Sequence, residues 1–311
     1  MGQYLIRRLI NTIIVLLGVV TLTFFLMRFT EGDPATIIAL DKYGSQLISP
    51  EVIERLSSEE GLNQPIYVQL FKWLKLISNG DFGHSLKSGA PVWDEIMLRF
   101  PYTLELAIIS VLITGLFGIP VGIYSAYYQD GWLDCITRLL ASVKVSIPNF
   151  YLSIIFVLIF SVKLKLFPSF GCDGPSYFIL PVFVLVISQT GFTIRIVRST
   201  VLEILESEYV QYAYARGLST NRILFVHVLK NALIPIITYM SLQFLMAIEG
   251  SIIVETIFAW PGIGRLFQEA IFGRDFTMIQ ALVLFLAILV CIVNLMVDIL
   301  YLAINRRISF L

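Results

Sequence analysis

Leu106-Ala-Ile-Ile-Ser-Val-Leu-Ile-Thr-Gly-Leu-Phe-Gly-Ile-Pro-Val-Gly-Ile-Tyr-Ser-Ala-Tyr-Tyr-Gln129 runs for 24 residues without an aspartate, glutamate, lysine or arginine. A helix needs about 20 mostly apolar residues to cross the hydrocarbon core of a bilayer. Lipid offers nothing to an unpaired peptide group, so a run of this kind is read as a membrane-spanning helix. A barrel strand would instead alternate apolar and polar side chains over roughly ten positions. Working outward, five more uncharged runs reach 18 residues or more: Leu9–Met27, Val145–Val162, Gly174–Ile194, Asn231–Ile248 and Phe276–Val297. The expected fold is all-α, a polytopic membrane protein with six transmembrane helices.

Composition agrees. Of 311 residues, 57% are hydrophobic and only 14% charged, and the mean hydropathy is +0.83. Too few charges are present to solvate a water-facing surface, so most of the surface faces lipid. The 22 basic residues balance 22 acidic ones, which argues against nucleic acid as a partner. Cys135, Cys172 and Cys291 are widely spaced, so they supply neither a disulfide framework nor a thiolate metal site.

Arginine and lysine bias the orientation. Arg7 and Arg8 precede the first run, Arg306 and Arg307 follow the last, and Arg195, Arg198, Arg216, Arg222 and Lys230 cluster between the fourth and fifth. Both termini and that cluster are expected in the cytoplasm of a cell-membrane protein; Lys163 and Lys165 run against the rule. The first run is longer than a signal-peptide core and no small-x-small site follows it, so it is expected to be retained.

Three segments are expected: the N-terminus and first span (1–29), an external cap (30–101), and a five-helix core (102–311) with a cytoplasmic loop at 199–230. Within the cap, Ile66, Leu70, Trp73, Leu74 and Ile77 share a helical face. Such a helix either lies in the membrane interface or packs onto the cap.

From Glu203 to Arg216 nothing breaks a helix. Glu203, Glu206 and Glu208 sit where the helix dipole favours anions, and Arg216 where it favours cations. Gly217 can take the left-handed conformation that closes a helix, after which Ser219, Thr220 or Asn221 can cap a second, shorter one. Ala213 and Ala215 are small enough for another protein to approach closely. The result is either a compact helix–turn–helix or a solvated loop.

Candidates for a pathway or gate are Pro148, expected to kink the third span, and Glu249, expected where the fifth span ends. Pro261 and Gly262 join them, in the outer stretch Glu255-Thr-Ile-Phe-Ala-Trp-Pro-Gly-Ile-Gly264. Asp298 is placed to pair with Arg306 or Arg307. No catalytic motif, no metal-ligand cluster and no G-x-x-x-x-G-K-[ST] phosphate loop is present, so ATP hydrolysis by the usual route is not expected of this chain.

The string Tyr209-Val210, Ala213, Ala215, Arg216, Gly217, Leu218, His227-Val228, Asn231-Ala232-Leu233 and Pro235 resembles the EAA loop of ABC-importer permeases. It is similar to the version in the oligopeptide, dipeptide and nickel branch. The resemblance extends through Gly32-Asp33-Pro34, Asn79-Gly80-Asp81-Phe82-Gly83, Ser146-x-Pro148-x-Phe150, Pro261-Gly262-x-Gly264, Arg274-Asp275 and Asp298. Gln211 stands where the general motif has glutamate, and Gly217 to Pro235 is longer than in the general pattern; both features occur in the peptide branch.

The resemblance implies a type I ABC-importer permease fold. It makes the loop a coupling helix in which Glu208, Tyr209, Ala213, Ala215, Arg216 and Gly217 contact a separate ATPase. It also implies a second permease subunit, two cytoplasmic ATPase subunits or domains and an extracytoplasmic solute-binding protein. No cofactor is expected in this chain itself; ATP and Mg would bind the ATPase. The implied cargo is an oligopeptide, a dipeptide, or nickel or another metal chelate. The rival readings are a secondary transporter or channel not powered by ATP, and a membrane-embedded enzyme.

Overall fold

Where lipid leaves a peptide group no other partner, the uncharged runs become helices. The computed structural model describes residues 2–29, 36, 39, 49–59 and 63–304. In chain order its helices are α1 (Gly2–Phe29), α2 (Pro50–Glu59), α3 (Ile66–Ser78), α4 (Val92–Tyr127), α5 (Trp132–Val145), α6 (Asn149–Phe156), α7 (Pro175–Leu205), α8 (Glu208–Ala215), α9 (Thr220–Arg222), α10 (Leu229–Ile257), α11 (Ile263–Phe272) and α12 (Phe276–Ile304). No β-strand occurs among the described residues beyond a lone bridge between His84 and Pro91.

Among the described residues, five helical stretches are long and apolar enough to span: Ile6–Phe29, Val92–Tyr127, Pro175–Leu205, Val226–Ile257 and Phe276–Tyr301. The expected span Val145–Val162 differs. Helix α5 stops at Val145, and a new helix starts only at Asn149, continuing as the π-helical turn Val157–Lys163. At about 1.5 Å per residue, Asn149–Lys163 reaches only about 22 Å against a core of roughly 30 Å. Pro148 explains the break and corrects its own expected role. It stands at the N-terminal boundary of α6 with φ −61° and ψ 147°, where a missing N–H costs nothing. It starts a helix instead of kinking one. The prolines inside long helices are others, among them Pro181 and Pro235.

The chain divides into two compact units, Met1–Pro101 with Leu266–Ile292, and Tyr102–Arg265 with Val293–Leu311. In the first, Leu70, Trp73, Leu74 and Ile77 of α3 are half-buried while Lys72 and Lys75 are exposed. Trp73 stacks on Phe24 of α1, ring centroids 6.0 Å apart, so the apolar face of α3 rests on the first span. Asp275 caps α12 by accepting from the Met278 amide at 3.0 Å, and it also accepts the Ser85 hydroxyl at 2.5 Å. Gly32-Asp33-Pro34, Arg306 and Arg307 lie outside the described residues.

In the second unit, small residues bring helices together. A Cβ on Gly122 would stand 2.7 Å from Val197, and one on Gly191 would stand 3.1 Å from the Cα of Ala141. This is close helix packing of the kind membranes favour. Helix α5 is then pinned to α7 by a buried ion pair. Arg198 donates from Nε and Nη2 to the two carboxylate oxygens of Asp134, at 2.5 and 2.8 Å, and Ser125 adds a hydroxyl at 2.6 Å. The Arg198 hydrogen bonds hold the Asp134 carboxyl far below the usual carboxylate range. A carboxyl depressed in the folded state stabilises fully above its unfolded pKa and loses that contribution only as pH falls through the folded value. The clamp should therefore survive mild acid. Asp134→Ala should strand Arg198 and cost about 3 kcal/mol or more, the scale for removing one partner of a buried pair. Thermal unfolding of detergent-solubilised protein checks this, and an unchanged midpoint would refute it.

Candidate functional site

Helix α7 ends at Leu205, earlier than the unbroken Glu203–Arg216 helix expected from composition. Ser207 takes the extended conformation (φ −67°, ψ 145°) at the N-terminal boundary of α8, and its hydroxyl bonds back to the Ile204 carbonyl. Serine competes for backbone groups in this way, which favours helix starts over helix interiors. Ser207 followed by the first-turn acid Glu208 was the available signal. Gln211 closes the corner by donating its side-chain amide to the Leu205 carbonyl at 3.1 Å. A glutamate there could not donate. The residue that departs from the general motif thus satisfies one of the carbonyls orphaned at the end of α7.

After α8 the turn forms as expected. Gly217 has φ +75°, its amide bonds to the Tyr214 carbonyl at 2.9 Å, and the Leu218 amide reaches the Ala213 carbonyl at 3.3 Å. Ser219 marks the start of α9 without a side-chain cap bond. The chain then continues through the π-helical turn Ile223–Val228 into α10.

One face of α8 is fastened to the bundle. Val210 and Ala213 are buried with Val197, Val201, Ile223, Ala232 and Ile236. The Asn231 amide donates to the Tyr209 hydroxyl at 2.9 Å and to the His227 carbonyl at 2.8 Å, tying α8 to the first turns of α10. The opposite face is open: Glu208, Tyr209, Tyr212, Ala215, Arg216 and Gly217 are exposed, and the Arg216 guanidinium lies over the Tyr212 ring at 5.0 Å. Five of the six residues named from sequence therefore share an accessible surface. Ala213 does not; it is small because it packs inward, not because a partner approaches it.

The other candidates scatter. Glu249 is exposed and does not end its helix, which continues to Ile257. Pro261 and Gly262 belong to a construction that centres on a residue sequence reasoning passed over. Glu255 is completely buried. Its carboxyl oxygens accept from Thr103 Oγ1 at 2.6 Å and from the Arg265 amide at 3.0 Å, and Thr103 Oγ1 in turn accepts from the Ile263 amide at 2.8 Å. Amides left unpaired at the start of α11 are thus satisfied by side chains from outside it, Glu255 just upstream and Thr103 far along the chain. Trp260 donates its indole N–H to the Tyr102 carbonyl at 3.2 Å. The cradle leaves room for hydrogen only: a Cβ on Gly262 would stand 2.4 Å from the Glu255 carboxyl, and one on Gly264 2.6 Å from the Ile252 Cα. The Pro-Gly-x-Gly spacing was the visible trace of this packing.

Comparisons with known proteins bear on the whole chain. Residues 118–310 match the family described as binding-protein-dependent transport system inner membrane component, and residues 1–107 match its N-terminal companion. The oligopeptide transport system permease protein AppB of Bacillus subtilis is 38% identical over 321 aligned positions covering all of both proteins. The glutathione transport system permease protein GsiC of Salmonella paratyphi A is 38% identical over 310 positions, again end to end. Among solved structures, the MetNI methionine ABC transporter in inward-facing conformations superposes with a TM-score of 0.58 at 20% identity, over 70% of this chain and 99% of that one.

Proposed function

The chain belongs to the binding-protein-dependent transport system inner membrane component family, the permeases of ABC importers, and from that premise we propose that it forms half of the pore of a peptide importer. The observation that carries the coupling role is the exposed face of α8 closed by Gly217 in the left-handed conformation. A rigid, half-buried knob can pass the closure of a nucleotide-driven partner to α7 and α10, because Val210, Ala213 and Asn231 fasten it to both. Glu208, Tyr209, Ala215, Arg216 and Gly217 form the contact. ATP is hydrolysed by two separate ATPase subunits or domains, a second permease completes the wall, and an external binding protein delivers cargo. Peptide is the favoured cargo because the relatives matched end to end are named for oligopeptide and glutathione transport.

Proteoliposomes holding the full importer should take up a short peptide only with ATP inside the compartment that exposes the ATPase. Uptake that persists without ATP would sink the reading. The orientation has its own test. Cys135 and Cys172 are both exposed, and the proposed topology, in which the short apolar stretch Asn149–Lys163 makes the third of six crossings, puts them on opposite sides. A membrane-impermeant maleimide should label Cys172 from outside intact cells and leave Cys135 unlabelled until the membrane is opened; external labelling of Cys135 would reverse the orientation.

A further inference from the structure

We propose that the cavity between α5 and α7 seats the phosphate of an anionic phospholipid. The cavity holds about 560 Å³, and Arg138, Ser142, Phe192, Arg195 and Arg198 are among its walls. It lies along the helix pair that meets at Ala141 and Gly191, toward the end of α7 that leads into the α8 knob.

Its charge is unbalanced. Arg138, Arg195 and Arg198 line the cavity, and the carboxylates paired with them are Asp130 and Asp134, which meet Arg138 and Arg198 only. Asp134 is fully buried and committed to Arg198 and Ser125. Arg138 reaches Asp130 at 3.2 Å, a water-screened pairing between side chains that are 50% and 73% exposed, and it approaches the Asp134 carboxylate at 3.6 Å, which Arg198 already holds at 2.5 Å. Arg195, three residues before Arg198, is exposed. The hydroxyls of Ser142 and Ser199 already donate to the carbonyls of Arg138 and Ile196, so guanidinium N–H groups are the donors an anion would meet. Arginine is suited to this because its planar fork matches phosphate oxygens.

The surroundings select a lipid over a free ion. Along α5 beside Arg138, Trp132, Ile136, Leu139 and Leu140 are exposed. At the end of α4, Tyr128 packs against Tyr124 and Tyr127 with centroids 4.5 and 4.8 Å apart. Aromatic side chains of this kind gather at the headgroup level, and basic pockets between helices are where acidic headgroups bind. A free phosphate would use the guanidiniums alone; an acyl chain would also cover the leucines.

The test is native mass spectrometry of the complete importer taken from nanodiscs of phosphatidylcholine with or without phosphatidylglycerol. Wild type should retain phosphatidylglycerol. Arg138→Gln/Arg195→Gln, which spares the Asp134–Arg198 clamp, should lose it by about thirtyfold, two basic groups each contributing about 1 kcal/mol near an acidic surface. Arg222→Gln, an exposed arginine outside the cavity, should retain it. Arg195→Glu alone should match the double variant, which keeps the test available if the latter assembles poorly. Equal retention by wild type and the cavity variants overturns the proposal, and so does displacement of the lipid by excess inorganic phosphate.

Discussion

Gly217→Val should leave the chain inserted and assembled yet cut ATP-driven uptake by about tenfold or more, while ATP hydrolysis by the partner continues. The physical cause is conformational. With φ at +75° the position disfavours any L-residue, by about 1–2 kcal/mol in general, and a β-branched side chain fares worse. Space is not the obstacle, because a Cβ there would meet nothing within 4 Å. Valine should therefore reshape the turn after α8 and tilt the Tyr212–Arg216 surface away from its partner. Gly217→Asn, which tolerates the left-handed conformation, should recover most of the uptake. Transport by Gly217→Val at the wild-type rate would end the docking idea, and failure of asparagine to rescue would shift the cause from backbone to surface.

At the Glu255 cradle the larger effect should fall on folding. Gly264→Ala forces a methyl to 2.6 Å from the Ile252 Cα, within a helix that cannot retreat. Overpacking of this kind costs about 1–3 kcal/mol and occasionally more, a large share of a stability of roughly 5–15 kcal/mol. Gly262→Ala should hurt for a different reason, since its methyl would meet the Glu255 carboxyl at 2.4 Å. Glu255→Ala alone strands the Thr103 hydroxyl and the Arg265 amide, at about 1–3 kcal/mol for a buried group left unpaired. The double variants separate the two clashes. Glu255→Ala should relieve Gly262→Ala, giving strong non-additivity, and should relieve Gly264→Ala only in part, because the Glu255 oxygen at 2.8 Å goes but the Ile252 Cα and N remain at 2.6 and 2.9 Å. Membrane yield and thermal midpoint of the five variants read this out; additive losses at Gly262 would contradict the cradle.

The same residues show what was legible beforehand. The left-handed glycine after Arg216 and the apolar face of α3 could be read because each depends on neighbours within a turn or two. The spans could be read because lipid forces any long uncharged run to satisfy its own backbone. Even there, the run Val145–Val162 overcounted a length: Pro148 divides it, and uncharged residues before the proline finish one helix while those after it begin another.

Glu249 and Glu255 mark the limit. Glu249 closes the apolar run Asn231–Ile248 and Glu255 follows six residues later, and counting from the edge of the run made the first the candidate. Burial chose the second, through a hydroxyl 152 positions away. Asp134 finds Arg198 across 64 positions, and Gln211 reads as a deviation until the Leu205 carbonyl stands beside it. Sequence by itself determined the helical, membrane-spanning architecture and the glycine turn, since those follow from solvent and local backbone geometry. Only the tertiary structure decided which polar side chains are structural and which face of α8 is open, because the register between helices brings their partners together and no local pattern encodes it.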